Sequence, residues 1–290
     1  MGDNFLFQNY LVVFFDHLGQ RDKLRKITGI PTDETEKQKF IEITKESVGR
    51  VLHIRELFKD YFESASSCEP NVTRVPIEYR DEFLASQKQA DLSFYGISDS
   101  VIIAVPLMSS DENCAAVNGV FAAFIAICGI GLLSLSMLHI AMRAGLDVGV
   151  ATQLGDKEIY GPVLERAFYL ESKLAEYPRF LVGKELINCL LWVENQKCNT
   201  RIGQVAKETA KFCREMIIQD TDGRYMLDFL GPKLKEASEG VIEPKLVASA
   251  FEFVISQHQK YVEEENETLA SRYFRLLKYF QSRRNTWELK

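Results

Sequence analysis

Apolar residues run unbroken from 10 to 15, Tyr-Leu-Val-Val-Phe-Phe, and the run ends on Asp16. A short run rich in β-branched and aromatic side chains predicts a buried strand. Residues 21–27 read as a short helical turn, stopped by Gly29 and Pro31. Over 34–62 the apolar positions Phe40, Ile43, Val48, Val51, Leu52, Leu57 and Phe58 recur at helical spacing and predict one long helix. Residues 64–76 form a turn-rich loop, and 78–89 a helical or irregular insert. The aromatic segment 91–97 and the apolar run 101–106 flank a tight turn at Asp99, the pattern of a hairpin. An apolar helix over 119–141 follows, then a strand over 143–152, a loop through 155–157, a helix over 162–175 and a strand over 180–182. Beyond Gly183 the character changes. Helices are expected over 184–193, 202–218, 245–262 and 267–284, with a short strand over 224–230.

That order, β-α-β-β-α-β followed by a tail, predicts an α+β protein with a ferredoxin-like split motif and a helical C-terminal extension. The division falls at 1–183 and 184–290. No Ser/Gly-rich linker precedes the tail, so it is expected to pack on the first part. No internal repeat or low-complexity tract is present.

Composition narrows the function. Of 290 residues, 46% are hydrophobic and 26% charged, which is ordinary for a soluble globular chain. The net charge of −6, with no basic tract that stands out, gives nucleic-acid binding little electrostatic support. Cys68, Cys114, Cys128, Cys189, Cys198 and Cys213 show no zinc-knuckle spacing, and only four histidines accompany them. Reduced thiols and the absence of a signal-peptide layout point to the cytoplasm.

Two segments carry chemistry. Each delivers one carboxylate, Asp16 or Asp99, at the end of an apolar strand. Read singly, Asp16 is a cap for a following helix and Asp99 a turn residue. Read together on neighbouring strands, they are what a pair of hard divalent cations requires. The segments Phe14-Phe15-Asp16-His17-Leu18-Gly19-Gln20 and Ile97-Ser98-Asp99-Ser100-Val101 resemble the metal-binding signature of class III nucleotidyl cyclases, with Ser98 in place of the usual Gly. A third block agrees. Met142-Arg143-Ala144-Gly145-Leu146-Asp147-Val148-Gly149 resembles the family's Arg-x-Gly-Ile-x-x-Gly strand. Ile159-Tyr160-Gly161-Pro162-Val163-Leu164-Glu165-Arg166-Ala167 resembles its aromatic-Gly turn and helix. The three blocks stand in family order across roughly residues 7–182.

The resemblance implies a cyclase homology domain that closes the 3′-hydroxyl onto the α-phosphate and expels pyrophosphate. By resemblance, Asp16 and Asp99, with the main-chain carbonyl of His17, hold two ions, Mn or Mg. The N–H groups of Leu18, Gly19 and Gln20 are placed for the β- and γ-phosphates. Base choice falls to Tyr95, where purine cyclases carry Lys or Glu, and to Glu158. Tyr95 is neutral and bulky, which favours a pyrimidine; as a plain strand aromatic it has an equally good structural reading. With the Ser-Asp-Ser hairpin and the stretch Ala175-Glu176-Tyr177-Pro178-Arg179, it resembles the soluble pyrimidine cyclases of bacterial anti-phage signalling, the Pycsar type. That implies UTP or CTP as substrate, cyclic UMP or cyclic CMP as product, and a downstream effector that reads the product. The family's transition-state Asn and Arg map to Glu165 and Tyr169, which cannot do the same electrostatic work. Arg166 is the nearest positive charge, with a solvent-facing helix residue as its other reading. The family builds its site between two protomers, so a head-to-tail homodimer with shared sites is expected.

Three other readings stay open. One is an adenylate or guanylate cyclase with an atypical pocket. Another is a nucleotide-binding cyclase fold without turnover. The third is a membrane-anchored protein, because 119–141 is long and apolar enough to span a bilayer. The resemblance argues against insertion, since it makes the strands on either side of this segment neighbours in one sheet. A buried helix, apolar all round, is expected instead.

Overall fold

The computed structural model describes residues 7–17, 29–67, 77, 81, 92–97, 100–107, 114–155, 158–198, 200–239 and 241–289. Along the chain, β1 (Gln8–His17) is followed by helix α1 (Glu34–Ser67), strands β2 (Ser93–Ile97) and β3 (Ser100–Pro106), helix α2 (Cys114–Ser136), strands β4 (Met142–Leu154) and β5 (Glu158–Tyr160), helix α3 (Pro162–Tyr169) and strand β6 (Phe180–Val182). Then come α4 (Lys184–Asn195), α5 (Arg201–Glu215), β7 (Ile217–Gln219), β8 (Tyr225–Leu227), α6 (Pro232–Ala237), α7 (Pro244–Glu263), α8 (Glu267–Ser282) and α9 (Arg284–Trp287). The architecture is α+β.

The unbroken apolar run of β1 makes it a central strand, buried throughout from Tyr10 to His17. It pairs antiparallel with β3 on one side and β4 on the other. The sheet runs β2-β3-β1-β4-β6-β8-β7, with β5 folded back on the end of β4. Alternation sends Leu11, Val13 and Phe15 to one face and Tyr10, Val12, Phe14 and Asp16 to the other. The first face carries the large core under α1 and α2, where Phe15 meets Phe58 edge-on at 6.1 Å and Phe180 at 6.2 Å. The second face carries a smaller cluster of Tyr10, Val12, Phe14, Tyr95 and Ile102 beneath Val163 and Ala167 of α3.

Helix α2 has no charged side chain, and its stretch Val117–Ser136 is long and apolar enough to cross a membrane. An 18-residue window within that stretch is 94% buried in the protein itself, against α1, α5 and α7. Its all-round apolarity is thus met by its own chain, as expected of an interior helix.

The tail has the strand expected at 224–230, as β8, but departs from expectation just before it. The helix expected over 202–218 ends at Glu215, and Ile217–Gln219 forms a strand instead. The cause is local. Gly223, at φ +80°, closes a turn in which Gly223 N–H donates to the Asp220 carbonyl and Asp220 N–H to that of Arg224. This hairpin pairs the β-branched Ile217 and Ile218 with Leu227 and Met226. Because Met226 pairs in turn with Leu181 of β6, the tail extends the same sheet. Its helices join the same apolar core through Val247, Phe251, Leu276 and Phe280.

Candidate active site

Asp16 lies one residue before the end of β1 and is 2% exposed. Across the ladder it faces Arg143 of β4. The Arg143 guanidinium donates through Nη2 to Asp16 Oδ2 at 3.0 Å and lies 2.7 Å from Glu171 Oε1. Through Nη1 it donates to the Ala175 carbonyl at 3.2 Å. The three charged groups are nearly sealed, with side-chain exposures of 3% for Asp16, 12% for Arg143 and 1% for Glu171. Burial of this kind holds only when charge is matched by charge and hydrogen bonds.

The elements explain the meeting. Glycines at Gly145 and Gly149 let α3 lie directly on β4, since a Cβ at Gly145 would stand 2.1 Å from the Ala167 carbonyl oxygen. Helix α3 then widens into a π-helical turn over Leu170–Leu174, which carries Glu171. Wider turns of this sort re-aim side chains and recur at functional sites.

Four residues along β4 on the same face, roughly 13 Å away at the usual strand rise, stands a second buried carboxylate. Asp147 Oδ2 accepts from Arg166 Nε at 2.6 Å, and its Oδ1 accepts from Leu186 N–H at 2.9 Å, in the first turn of α4. Arg166 also donates to the Val148 carbonyl at 2.8 Å. A carboxylate at a helix N-terminus meets both the unpaired N–H groups and the positive end of the helix dipole. Arg166 thus ties α3 to β4 with its charge matched by Asp147, apart from Asp16.

Tyr95 is buried on β2, on the same sheet face as Phe14 and Asp16. It opposes Ile102, which opposes Phe14, so two strand spacings, about 10 Å, separate Tyr95 from β1. Gln153 Nε2 donates to the Tyr95 hydroxyl at 2.7 Å and to Ser93 Oγ at 3.1 Å. The phenol oxygen therefore acts as acceptor toward Gln153 and keeps its own proton to donate. Glu158 is exposed on β5, opposite Leu154. His17 is buried at the end of β1. Glu165 and Tyr169 lie on α3. Asp99, Leu18, Gly19 and Gln20 lie outside the described residues. Register still speaks to the pair of acids: Val101, two residues after Asp99 in sequence, opposes Phe15, the residue before Asp16.

Among the described residues no group of three or more His, Cys, Asp or Glu side chains is arranged to hold a metal. The donor chemistry at Asp16 nevertheless fits a cation. A buried carboxylate at the end of a strand already holds one, the Arg143 guanidinium, within hydrogen-bond distance. Arg143, Glu171, Asp147 and Gln153 had no role assigned from sequence. The signal for two of them was present: Arg143 and Asp147 are charged residues four apart in an apolar strand, hence on one buried face.

A second ion cluster fastens the tail. Arg179, fully buried, pairs with Asp220 and, at 2.6 Å, with Asp222, and donates to the Leu174 carbonyl at 2.9 Å. Arg275 of α8 reaches Glu176 at 2.7 Å, and its guanidinium lies 4.4 Å from the Tyr177 ring centre. Burial alone would raise the Asp222 carboxyl, but hydrogen bonds from Arg179 and Arg224 outweigh it and hold the group well below the usual carboxylate range. The Tyr177 phenol is pushed up, first by burial and then by its hydrogen bond to Asp220.

No family model and no curated protein matches this sequence. Among solved structures, the chain is similar to the adenylyl cyclase CyaB from P. aeruginosa, with 14% identity over 66% of this chain and 84% of that one and a TM-score of 0.38. It is also similar to a bacterial light-regulated adenylyl cyclase, with 12% identity over 71% of this chain and 57% of that one and a TM-score of 0.39. A further structure of a bacterial light-regulated adenylyl cyclase aligns at 12% identity over 84% and 99%, with a TM-score of 0.31.

Proposed function

We propose that the protein is a nucleotidyl cyclase that takes a pyrimidine nucleoside triphosphate, UTP or CTP. The observation that carries this reading is the antiparallel register of β1 and β3. It sets Phe15, the residue before Asp16, opposite Val101, two residues after Asp99 in sequence. The strand order β2-β3-β1-β4, with antiparallel neighbours and helices α1 and α2 on one face, supports the ferredoxin-like reading. In the reaction the 3′-oxygen bonds to the α-phosphorus, its proton leaves, and the bond to the bridging oxygen breaks to release pyrophosphate.

Asp16 and Asp99, with the His17 carbonyl, would hold Mn or Mg, which supplies charge neutralisation of the triphosphate and acidifies the attacking hydroxyl. The chain's own part is orientation. Tyr95, held by Gln153 on the Asp16 face, would offer the base a hydrogen-bonding phenol and, being bulky, would shrink the pocket in favour of a pyrimidine. Leu18, Gly19 and Gln20 are the proposed phosphate contacts and Glu158 a second base contact. Exposed apolar side chains at Val150, Tyr160, Phe168 and Tyr169, on β4, β5 and α3, support a homodimer with shared sites. A role in anti-phage signalling through a downstream effector rests on the sequence resemblance alone.

The test is incubation of purified protein with ATP, GTP, CTP or UTP and Mn, with products separated by mass. A cyclic pyrimidine nucleotide that disappears in Asp99→Ala supports the reading. A cyclic purine product moves it to an adenylate or guanylate cyclase with an atypical pocket. Nucleotide binding without any cyclic product moves it to a regulatory fold.

A further inference from the structure

We propose that Arg143 is a tethered cation that competes with the metal for Asp16, and that Glu171 is the carboxylate onto which it retreats. The proposal rests on the assignment of Asp16 as a metal ligand made above and adds how that site is controlled.

The geometry carries it. One guanidinium nitrogen, Nη2, serves both acids, at 3.0 Å to Asp16 and 2.7 Å to Glu171. A cation bound by Asp16 at oxygen-ligand distances (about 2.0–2.6 Å) cannot share Oδ2 with a guanidinium at 3.0 Å without strong repulsion between like charges. A metal that takes Oδ2 must therefore displace Arg143 from it. In a buried pair, losing the partner leaves an uncompensated charge, which is strongly unfavourable. Arg143 avoids this because Glu171, almost fully buried, and the Ala175 carbonyl at 3.2 Å remain as anchors when Asp16 is withdrawn. Arg143 and Glu171 are thus positioning residues that set how tightly the site takes a metal.

The two residues have opposite expected signatures. Arg143→Gln removes the competitor, so Mn²⁺ should bind at least tenfold more tightly. Glu171→Gln, nearly isosteric, removes the retreat carboxylate and leaves Asp16 as the acid that Arg143 pairs with, so Mn²⁺ should bind at least tenfold more weakly. Binding is read directly, by calorimetry and by loss of the free Mn²⁺ electron paramagnetic resonance signal, with no nucleotide present. Asp16→Asn is the control for the site. Should Arg143→Gln fail to fold, Glu171→Gln decides the matter alone.

Opposite shifts in the two variants support the proposal. Equal or weaker binding in Arg143→Gln, or unchanged binding in Glu171→Gln, overturns it and leaves the metal reading of Asp16 standing. If the natural chain and both folded variants bind no Mn²⁺, the metal reading itself fails and the proposal falls with it.

Discussion

Gly145→Ala sets two opposing effects against each other at the floor of the site. Glycine inside a strand is intrinsically worse than alanine by roughly 0.5–1 kcal/mol, because it loses more backbone freedom on folding. Propensity alone therefore makes the substitution stabilising. The structure says the reverse. The added methyl would stand 2.1 Å from the Ala167 carbonyl oxygen and 2.7 Å from the Glu171 nitrogen, both backbone atoms that no rotamer change can move. Restoring ordinary contact at 3.4 Å from 2.1 Å requires α3 to lift by about 1.3 Å. Overpacking of this type costs about 1–3 kcal/mol, which exceeds the propensity gain. The lift would also stretch the 2.7 Å Arg143–Glu171 and 2.6 Å Arg166–Asp147 contacts beyond hydrogen-bond range. At about 2–4 °C per kcal/mol for domains of comparable size, Tm should fall by several degrees in calorimetry. An unchanged or raised Tm would refute the close α3–β4 approach, and with it the placement of Glu171.

Arg166→Ala should lower stability by about 1–3 kcal/mol, the usual cost when a buried group loses a charged hydrogen bond, because it leaves Asp147 with only the Leu186 N–H. Denaturant unfolding checks this; loss of turnover at unchanged stability would instead give Arg166 a catalytic role. Asp222, held below its ordinary range, contributes stability that is complete above the unfolded carboxylate value near pH 4 and is lost as pH falls through the folded value. Asp222→Asn should therefore lower Tm at pH 7 and flatten the fall in Tm on acidification, and an equally steep fall would remove the Arg179 cluster from the account. Gln153→Leu, which frees the Tyr95 phenol from its donor, should reduce discrimination between pyrimidine and purine triphosphates severalfold in competition assays, while unchanged discrimination would detach Tyr95 from base choice. Cys128 and Cys213, whose thiols burial pushes far up, should resist alkylation in the folded protein while the partly exposed Cys198 reacts.

What the sequence made legible was what short-range physics dictates. The apolar run ending on Asp16, the hairpin apolar residues Val101–Val105 and the charge-free helix α2 each carry a pattern that only one burial state satisfies. The tail was less legible, because Ile217 and Ile218 continue a helical periodicity and become a strand only when the Gly223 turn and β6 offer them partners. At the site, Asp16 was evident as a polar residue closing an apolar strand. Glu171 was not, because its place depends on a π-helical turn and on a helix approach that two glycines permit from the neighbouring strand. Arg143 and Asp147 lay between: their spacing marks one face, but only the sheet register shows which acid or base each meets. Arg166 was the nearest positive charge in sequence, yet its partner Asp147 comes from another element.

The most direct measurement compares the natural chain with Asp16→Asn, both folded, incubated with UTP or CTP and Mn²⁺ while pyrophosphate and cyclic nucleotide are quantified together. The account predicts equimolar pyrophosphate and cyclic pyrimidine nucleotide from the natural chain and neither from Asp16→Asn. Equal turnover by Asp16→Asn, or pyrophosphate released without a cyclic product, would contradict it.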